Sequence, residues 1–170
     1  CVKSPYAHAK IVSIDISAAK ALKGVHDVIT GDYYTKRGGL YLEDKNFLAV
    51  NTVKFYGEPV VAIAAETPEI AEAACDLVKV EYEPLPVINN PMEGMAKDAV
   101  LIHPELHTYK VVPIFHPQAH TNISHHHIIR KGDADAAFKY AEEHPDEYYI
   151  TEHEYHVPHV QHTPIENHIA

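Results

Sequence analysis

The stretch of residues 56–86, YGEPVVAIAAETPEIAEAACDLVKVEYEPLP, decides the predicted fold. Residues 60–65 are continuously apolar, which is typical of a strand covered on both faces. Thr67 and Pro68 then open a helix, because a hydroxyl caps the first turn and Pro is favoured at the first helical position. Residues 78–83 alternate between apolar and charged side chains, as in a strand with one wet face. The stretch therefore predicts a strand–helix–strand unit about the size of one crossover connection.

Helical spacing within this unit predicts which face of the helix is buried. The residues that share that face are Ile70, Ala71, Ala74, Leu77 and Val78. Glu69 and Glu72 lie near the positive end of the helix dipole, where a carboxylate is favourable. Cys75 is interpreted as a small buried thiol on the same helix.

The residues before this unit predict two more strands and a short helix. Over residues 10–16, Val12, Ile14 and Ile16 alternate with polar side chains, which indicates a half-buried strand. Ser17 is expected to cap a helix over residues 18–23, and Gly24 to end it in a left-handed conformation. Residues 25–30 predict a second strand, and residues 31–46 a loop.

The pattern changes after residue 86. Asn90 is expected to cap a brief helical turn, and residues 97–122 are rich in Pro and His without a sustained period. Asp133 is the expected cap of a helix whose apolar face contains Ala137 and Phe138, and residues 147–157 alternate as a long strand would. The predicted class is α+β: a mixed sheet with strand–helix–strand units on one core, residues 1–96, then an extended linker, residues 97–122. Residues 123–170 follow as a further β-α-β segment.

Composition excludes several classes of function. The chain has 170 residues, with 24 acidic against 14 basic side chains and a formal net charge of -10, so a nucleic-acid partner is not expected. No apolar run approaches the ~18 residues that a membrane span requires. The two cysteines, Cys1 and Cys75, are too few for a disulfide framework and favour a reducing, cytoplasmic setting.

The histidines are the most conspicuous candidate ligands. His125, His126 and His127 are adjacent, and a second series recurs every third residue at His153, His156, His159 and His162. Spacing by three along a strand sends alternate side chains to opposite faces, so the second series does not converge without a bend. Solvent-facing or hydrogen-bonded histidines are therefore favoured over a zinc site.

Other catalytic patterns are weaker still. The chain contains no phosphate-binding glycine spacing and no nucleophile elbow. The serines that we considered as nucleophiles are Ser4, Ser13, Ser17 and Ser124. The carboxylates that we considered as acid–base pairs are Glu142 with Glu143 and Glu152 with Glu154, which we interpret as solvated charges. Glu58 is interpreted as satisfying the N–H groups of its own turn, with contact to a partner as the alternative. We therefore predict no catalytic, cofactor-binding or metal-ligating residue.

Several short segments, in order along nearly the whole chain, resemble one family. They are Ser4-Pro5-Tyr6-Ala7-His8-Ala9, Gly24-Val25, Val28-Ile29-Thr30-Gly31-Asp32, Gly57-Glu58-Pro59-Val60, Glu81-Tyr82-Glu83-Pro84-Leu85-Pro86, Lys131-Gly132-Asp133 and the closing residues 162–166 with His168. The series is similar to the large, molybdenum-binding subunit of the xanthine dehydrogenase/aldehyde oxidase family of molybdenum hydroxylases.

This resemblance implies an α/β hammerhead domain over residues 1–96 and the start of a molybdopterin-binding domain over residues 123–170. It implies a parent enzyme that hydroxylates an N-heterocycle or an aldehyde with water, using a molybdenum–molybdopterin cofactor. Electrons would leave to iron–sulfur and FAD domains or subunits. The family's Gly-rich loop, its Gln near the metal and its late Glu base have no counterpart in residues 1–170. The segment is therefore expected to be a non-catalytic scaffold that is inactive alone.

Three further expectations follow. The start at Cys1, which is neither an initiator Met nor a signal peptide, indicates a piece of a longer chain. Self-association through the truncated strands of residues 147–170 is expected if their edges are unpaired. The alternative function is a free-standing His-rich interaction or metal-binding module, and a small hydrolase is a formal rival without a supporting set of residues.

Overall fold

The computed structural model describes residues 1–158, 160, 162, 163, 165 and 166. The strands of these residues are β1 (Val2–Lys3), β2 (Ala9–Asp15), β3 (Val25–Thr30), β4 (Thr52–Val53), β5 (Pro59–Ala65) and β6 (Lys79–Pro84). The helices are α1 (Ser17–Ala21), α2 (Pro68–Leu77), α3 (Pro91–Gly94) and α4 (Ala134–Glu143), with short 3-10 helices at Gly31–Tyr33 and Leu106–Thr108. The chain divides into two units, Cys1–His127 and Ile128–Ala170. No helix in the described part has the length and apolar character to cross a membrane.

The first unit contains two three-stranded sheets, ordered β1-β5-β3 and β4-β2-β6. Every strand pairing described is antiparallel. The predicted α+β class, with strand–helix–strand units on one core, is confirmed. The sheet structure is divided in two, because β5 and β6, the two strands of the quoted stretch, belong to different sheets. Its helix α2 therefore connects the two sheets and is not a crossover within one of them.

One hydrophobic cluster unites the two sheets with α1 and α2. Its largest fully buried side chains are Val28, Val53, Val60 and Val61, and alanines fill the tighter contacts. Burial of each Val side chain contributes about 1.5–3 kcal/mol relative to exposure. Because the consecutive residues Val60 and Val61 are both buried, the start of β5 is covered on both faces, as its apolar run predicted.

A β-bulge changes the predicted pattern of β2. Ile11 pairs with Tyr82 and Ser13 with Glu81, so the register shifts across Val12. One extra residue reverses which side chains face the core. Ile11 and Ile14 consequently pack against the core, while Val12 is 56% exposed. The prediction that Val12 shares the buried face of Ile14 is wrong for this reason.

The connection between β2 and β3 is partly as predicted. Ser17 is the first residue of α1 and not its cap: its hydroxyl donates to Asp15 Oδ1 at 2.6 Å, and its backbone N–H donates to the same atom at 2.9 Å. These bonds hold the pKa of Asp15 below its ordinary value. Gly24 has a φ of +89°, which confirms its left-handed conformation, but α1 already ends at Ala21, so Gly24 does not cap the helix as predicted. A Cβ there would lie 2.7 Å from Ile70 Cδ1, so α2 packs directly against this turn.

The start of α2 follows the prediction closely. Thr67 Oγ1 accepts a hydrogen bond from the Ile70 N–H at 3.3 Å, and Pro68 is the first helical residue. Ala74 is fully buried on the predicted face. Leu77 is the exception, because the helix ends there and its side chain is partly exposed.

Residues 85–127 complete the first unit. Asn90 caps α3, as predicted, by accepting from the Met92 N–H at 2.8 Å. The side chain of Asn122 links this part of the chain through three hydrogen bonds of 2.9–3.0 Å, to Gly94 O, Val100 O and Ile102 N. The boundaries at residues 96 and 122 stay a prediction.

The described residues of the second unit form α4 and otherwise irregular backbone. Asp133 caps α4 by accepting from the Ala136 N–H at 2.9 Å, as predicted. The strands expected on either side, within residues 123–131 and at residues 147–157, are wrong, because no strand is present in either range. No described residue of this unit is buried. Tyr149 is 90% exposed and Val157 88% exposed.

Candidate functional site

A cleft of about 360 Å³ lies in the first unit, between the loop of residues 35–46, the turn of residues 50–54 and the segment of residues 100–109. Its charged lining residues are Arg37, Lys54 and Glu105, and Leu85, Leu101 and Ile102 form part of its apolar wall. Pockets of ~300–1,000 Å³ that combine apolar walls with a few polar groups are typical small-molecule sites. This cleft is the candidate functional site.

Arg37 is held in the cleft by an aromatic ring. Its Cζ atom lies 4.3 Å from the centroid of the Tyr109 ring, within the ~6 Å range of a cation–π contact. Its Nη2 atom is 3.6 Å from Glu105 Oε2, longer than the ~2.7–2.9 Å of a charge-assisted hydrogen bond. The ring therefore orients the guanidinium, while its N–H donors form no hydrogen bond with any described residue.

His103 and Tyr109 support this arrangement. His103 Nδ1 lies 3.1 Å from the Tyr109 hydroxyl oxygen, and the two rings meet edge to face. Burial lowers the pKa of His103. The cations of Lys54 and Arg37 lower it further, and Asp44 opposes them. Burial also raises the pKa of Tyr109. Both side chains are therefore neutral at pH 7, and Arg37 rests against an uncharged pair.

His8 contributes a buried polar edge to the cleft. It is 4% exposed, and its Nδ1 lies 2.7 Å from the carbonyl oxygen of Pro86. A carbonyl oxygen only accepts, so Nδ1 carries the proton in this bond. Nε2 makes no hydrogen bond with a described residue, and in the neutral ring it is an acceptor.

Lys54 is fixed through its backbone. Its N–H donates to Glu58 Oε2 at 2.5 Å, and Glu58 is 6% exposed. The interpretation of Glu58 as a carboxylate that satisfies its own turn is thereby confirmed. The Lys54 side chain lines the cleft and forms no ion pair with a described residue.

The sequence did not predict this cleft. Arg37 lies in a stretch that was assigned only as a loop, and Tyr109 lies in the segment that was assigned as a linker. The available signal was the group of apolar residues Leu101, Ile102 and Leu106 in an otherwise polar segment. Leu106 is buried, which shows that this segment packs against the rest of the first unit.

The first histidine group stacks instead of converging on a metal. The His125 ring packs on Phe115 with centroids 4.5 Å apart, and its Nδ1 accepts from the His116 N–H at 3.3 Å. His127 lies beside it, with ring centroids 5.8 Å apart, and His126 is exposed. In the described part of the chain, no three His, Cys, Asp or Glu side chains meet in a metal-binding arrangement.

The described members of the second histidine series, His153, His156 and His162, lie in exposed, irregular backbone. His153 and Tyr155 have ring centroids 6.2 Å apart, and His156 Nε2 is 3.2 Å from Glu154 Oε1. His162 is exposed. His159 lies outside the described residues, and so does His168 of the resemblance.

The serine and carboxylate candidates form no catalytic arrangement among the described residues. Ser4 Oγ donates to Tyr6 O at 3.0 Å and Ser13 Oγ donates to Glu81 Oε2 at 2.8 Å, while Ser124 is exposed. Glu143 lies 3.9 Å from Lys139 on the exposed surface of α4. The Ser4 bond is local, the Ser13 bond links the paired strands β2 and β6 at an exposed position, and the Glu143 contact lies within α4.

The donor chemistry of the described residues does not fit a molybdenum or iron–sulfur centre. An iron–sulfur cluster usually requires four thiolates, and the whole sequence contains Cys1 and Cys75 only. No converging set of oxygen, nitrogen and sulfur ligands exists in the described part to replace them. We therefore derive no catalytic step within this chain.

Two antiparallel sheets connected by the capped helix α2 form the core of the first unit. The family model described as "Aldehyde oxidase and xanthine dehydrogenase, a/b hammerhead domain" matches residues 1–86. The chain belongs to the aldehyde oxidase and xanthine dehydrogenase family, as the resemblance implied.

Two relatives and one solved structure show how much of the chain is similar to known proteins. A probable xanthine dehydrogenase subunit of Bacillus subtilis (strain 168) is 30% identical over 97% of this chain and 20% of its own length. The nicotinate dehydrogenase large molybdopterin subunit of Eubacterium barkeri is 33% identical over 81% of this chain and 29% of its own. The structure of a Cu,Mo-CO dehydrogenase is similar with a TM-score of 0.63 and 36% identity, over 81% of this chain and 18% of that one. The chain thus spans less than a third of the length of each.

Proposed function

We propose that the chain is a non-catalytic scaffold segment of a molybdenum hydroxylase. The observation that carries this proposal is the likeness, at 36% identity over 81% of the chain, to a Cu,Mo-CO dehydrogenase structure that is several times longer. The parent enzyme would hydroxylate an N-heterocycle or an aldehyde with water, and the name of the nicotinate dehydrogenase relative favours a heterocycle. Its molybdenum–molybdopterin cofactor would supply the oxidation chemistry.

The surface of the first unit supports a role in docking. Tyr33, Tyr34 and Phe47 are large apolar side chains that are exposed beside the β1-β5-β3 sheet. We propose that the remainder of a molybdenum-binding subunit and its iron–sulfur and FAD partners cover such surfaces. A cytoplasmic location accompanies the proposal, because both cysteines are free.

The second unit supports the same role. Tyr149, Tyr155 and Val157 are almost fully exposed, which is costly for a segment that works alone. We propose that a further part of the enzyme pairs with residues 147–157, and that a second copy takes its place when the chain is alone. Light scattering of the isolated chain at increasing concentration should then show a dimer. A strict monomer at millimolar concentration would contradict the proposed pairing with a second copy.

A domain exchange tests the scaffold proposal. Residues 1–86 replace the matching domain of the Bacillus subtilis relative, which is purified with its partner subunits. We expect molybdenum content and xanthine turnover within a few-fold of the parent enzyme. The same exchange with Val61→Asp should lose molybdenum and turnover together, because the domain no longer folds.

Two outcomes would contradict the proposal. Normal molybdenum content without xanthine turnover would show that this domain contributes reacting groups. Loss of molybdenum from the unmutated exchange would show that the domain does not perform the structural role of its relative.

A further inference from the structure

We propose that the cleft of the first unit binds a small organic carboxylate with a compact apolar body, whose charge contacts Lys54 and Arg37. The proposal does not depend on the scaffold role, since it rests on side chains of this chain alone. It assigns to the segment a binding site for a small molecule.

The charge of the cleft carries the first step. The chain has a formal net charge of -10, yet the lining of the cleft contains two cations, Arg37 and Lys54, against the single carboxylate of Glu105. A site of local positive charge on an acidic chain favours an anion, and low-dielectric walls strengthen that preference. The Glu105 carboxylate is also more exposed than the Arg37 guanidinium beside it, so solvent screens its charge more strongly.

The Arg37 guanidinium and the backbone of Lys54 are positioned in advance of any ligand. The ring of Tyr109 holds the plane of Arg37, whose N–H donors are unused by described residues. The Glu58 carboxylate fixes the backbone of Lys54, whose ammonium has no carboxylate within ion-pair distance in the described part. A planar guanidinium with paired donors matches a carboxylate, and pre-positioned groups lose less entropy when they bind.

The remaining lining selects against a purely inorganic anion. Leu85, Leu101 and Ile102 present apolar surface that phosphate cannot use and that the body of an organic acid can cover. A volume of about 360 Å³ lies at the small end of the range for ligand pockets, which suits a single-ring acid such as benzoate.

An NMR titration of the 170-residue chain with sodium benzoate, at constant ionic strength, tests the proposal. We expect saturable amide shifts at residues 35–54 and 100–109 and around His8 and Leu85, which line the same cleft. Lys54→Gln and Arg37→Gln should each weaken benzoate at least tenfold, and Glu105→Gln should strengthen it. The control is Lys36→Gln, which removes the same charge from an exposed residue outside the cleft and should change the affinity less than twofold.

Two further probes identify the ligand class. Benzamide, which is neutral, and inorganic phosphate should each bind at least tenfold more weakly than benzoate. Equal binding of phosphate would make this an inorganic-anion site, and equal binding of benzamide would remove the role of the charges. Either result overturns the proposal, as would unsaturable shifts or an equal loss with Lys36→Gln. If Arg37→Gln loses its native amide dispersion, Lys54→Gln and Glu105→Gln decide the question.

Discussion

The two units of the chain contain similar alternating patterns and reach different structures. In the first unit, β2 alternates and has β4 and β6 as partners on its two sides. In the second, residues 147–157 alternate at least as regularly but form no strand. A strand requires partners for its N–H and C=O groups and a surface to cover its apolar face. The difference teaches that alternation identifies a strand only where the same chain supplies what the strand packs against.

The largest effect should come from a charge placed in the packed unit. Val61 is fully buried, so Val61→Asp places a carboxylate in the core. We expect this change to lower the free energy of unfolding by about 4 kcal/mol or more. Urea denaturation followed by circular dichroism measures the loss. The control is Val157→Asp, which makes the same change at an exposed position and should shift the transition by less than about 0.5 kcal/mol. Equal effects would show that the second unit is packed as firmly as the first.

A pair of glycines separates backbone strain from packing. Gly24 and Gly132 both have positive φ, +89° and +71°. A Cβ at Gly24 would lie 2.7 Å from Ile70 Cδ1. A Cβ at Gly132 would have no neighbouring atom within 4 Å. Gly24→Ala should therefore cost about 2–4 kcal/mol from strain and overpacking together. Gly132→Ala should leave the main urea transition in place, and a comparable shift would break the distinction between the units.

The sequence was sufficient where local chemistry decides the structure. Thr67, Asn90 and Asp133 all cap helices as predicted, because a short polar side chain and its own backbone determine a cap. Gly24 adopts a left-handed conformation because it has no Cβ that would clash there. The apolar run of β5 correctly indicated burial on both faces at Val60 and Val61, but not at Ala64, which is exposed.

Prediction failed where the structure depends on contacts between residues that are far apart in the sequence. The bulge at Val12 depends on the register with β6, which lies about 70 residues away in the sequence, and the assignment of β5 and β6 to different sheets depends on the whole core. The cleft joins Arg37 to Tyr109 across 72 positions of the chain. No local sequence pattern indicates contacts across such a separation, so the sequence did not predict the candidate site.

Helix caps provide a smaller test of the same comparison. Thr67→Ala removes the cap of α2 within the packed unit and should lower the free energy of unfolding by about 1 kcal/mol. Asp133→Ala removes the cap of α4, which has no buried residue. It should reduce helicity by circular dichroism without moving the main urea transition. A shift of that transition with Asp133→Ala would mean that α4 unfolds together with the first unit.

The smallest expected effect is a pH dependence of stability that arises in the first unit. The pKa of His103 is lowered in the folded state by burial and by two neighbouring cations, so the unfolded chain takes up a proton first as pH falls. The corresponding stability is fully present above the ordinary His pKa of about 6.5 and is lost as pH falls through the lower folded value. Urea midpoints measured between pH 8 and pH 5.5 should decrease accordingly.

Matched histidine variants isolate this contribution. His103→Gln should flatten the decrease, because the variant has no titrating group at that position. His126→Gln removes an exposed histidine of the same unit and should leave the slope unchanged. Because His103 contacts Tyr109, which in turn orients Arg37, the same protonation should also disturb the cleft. Equal slopes for the parent chain and His103→Gln would show that the burial of this ring has no consequence for stability.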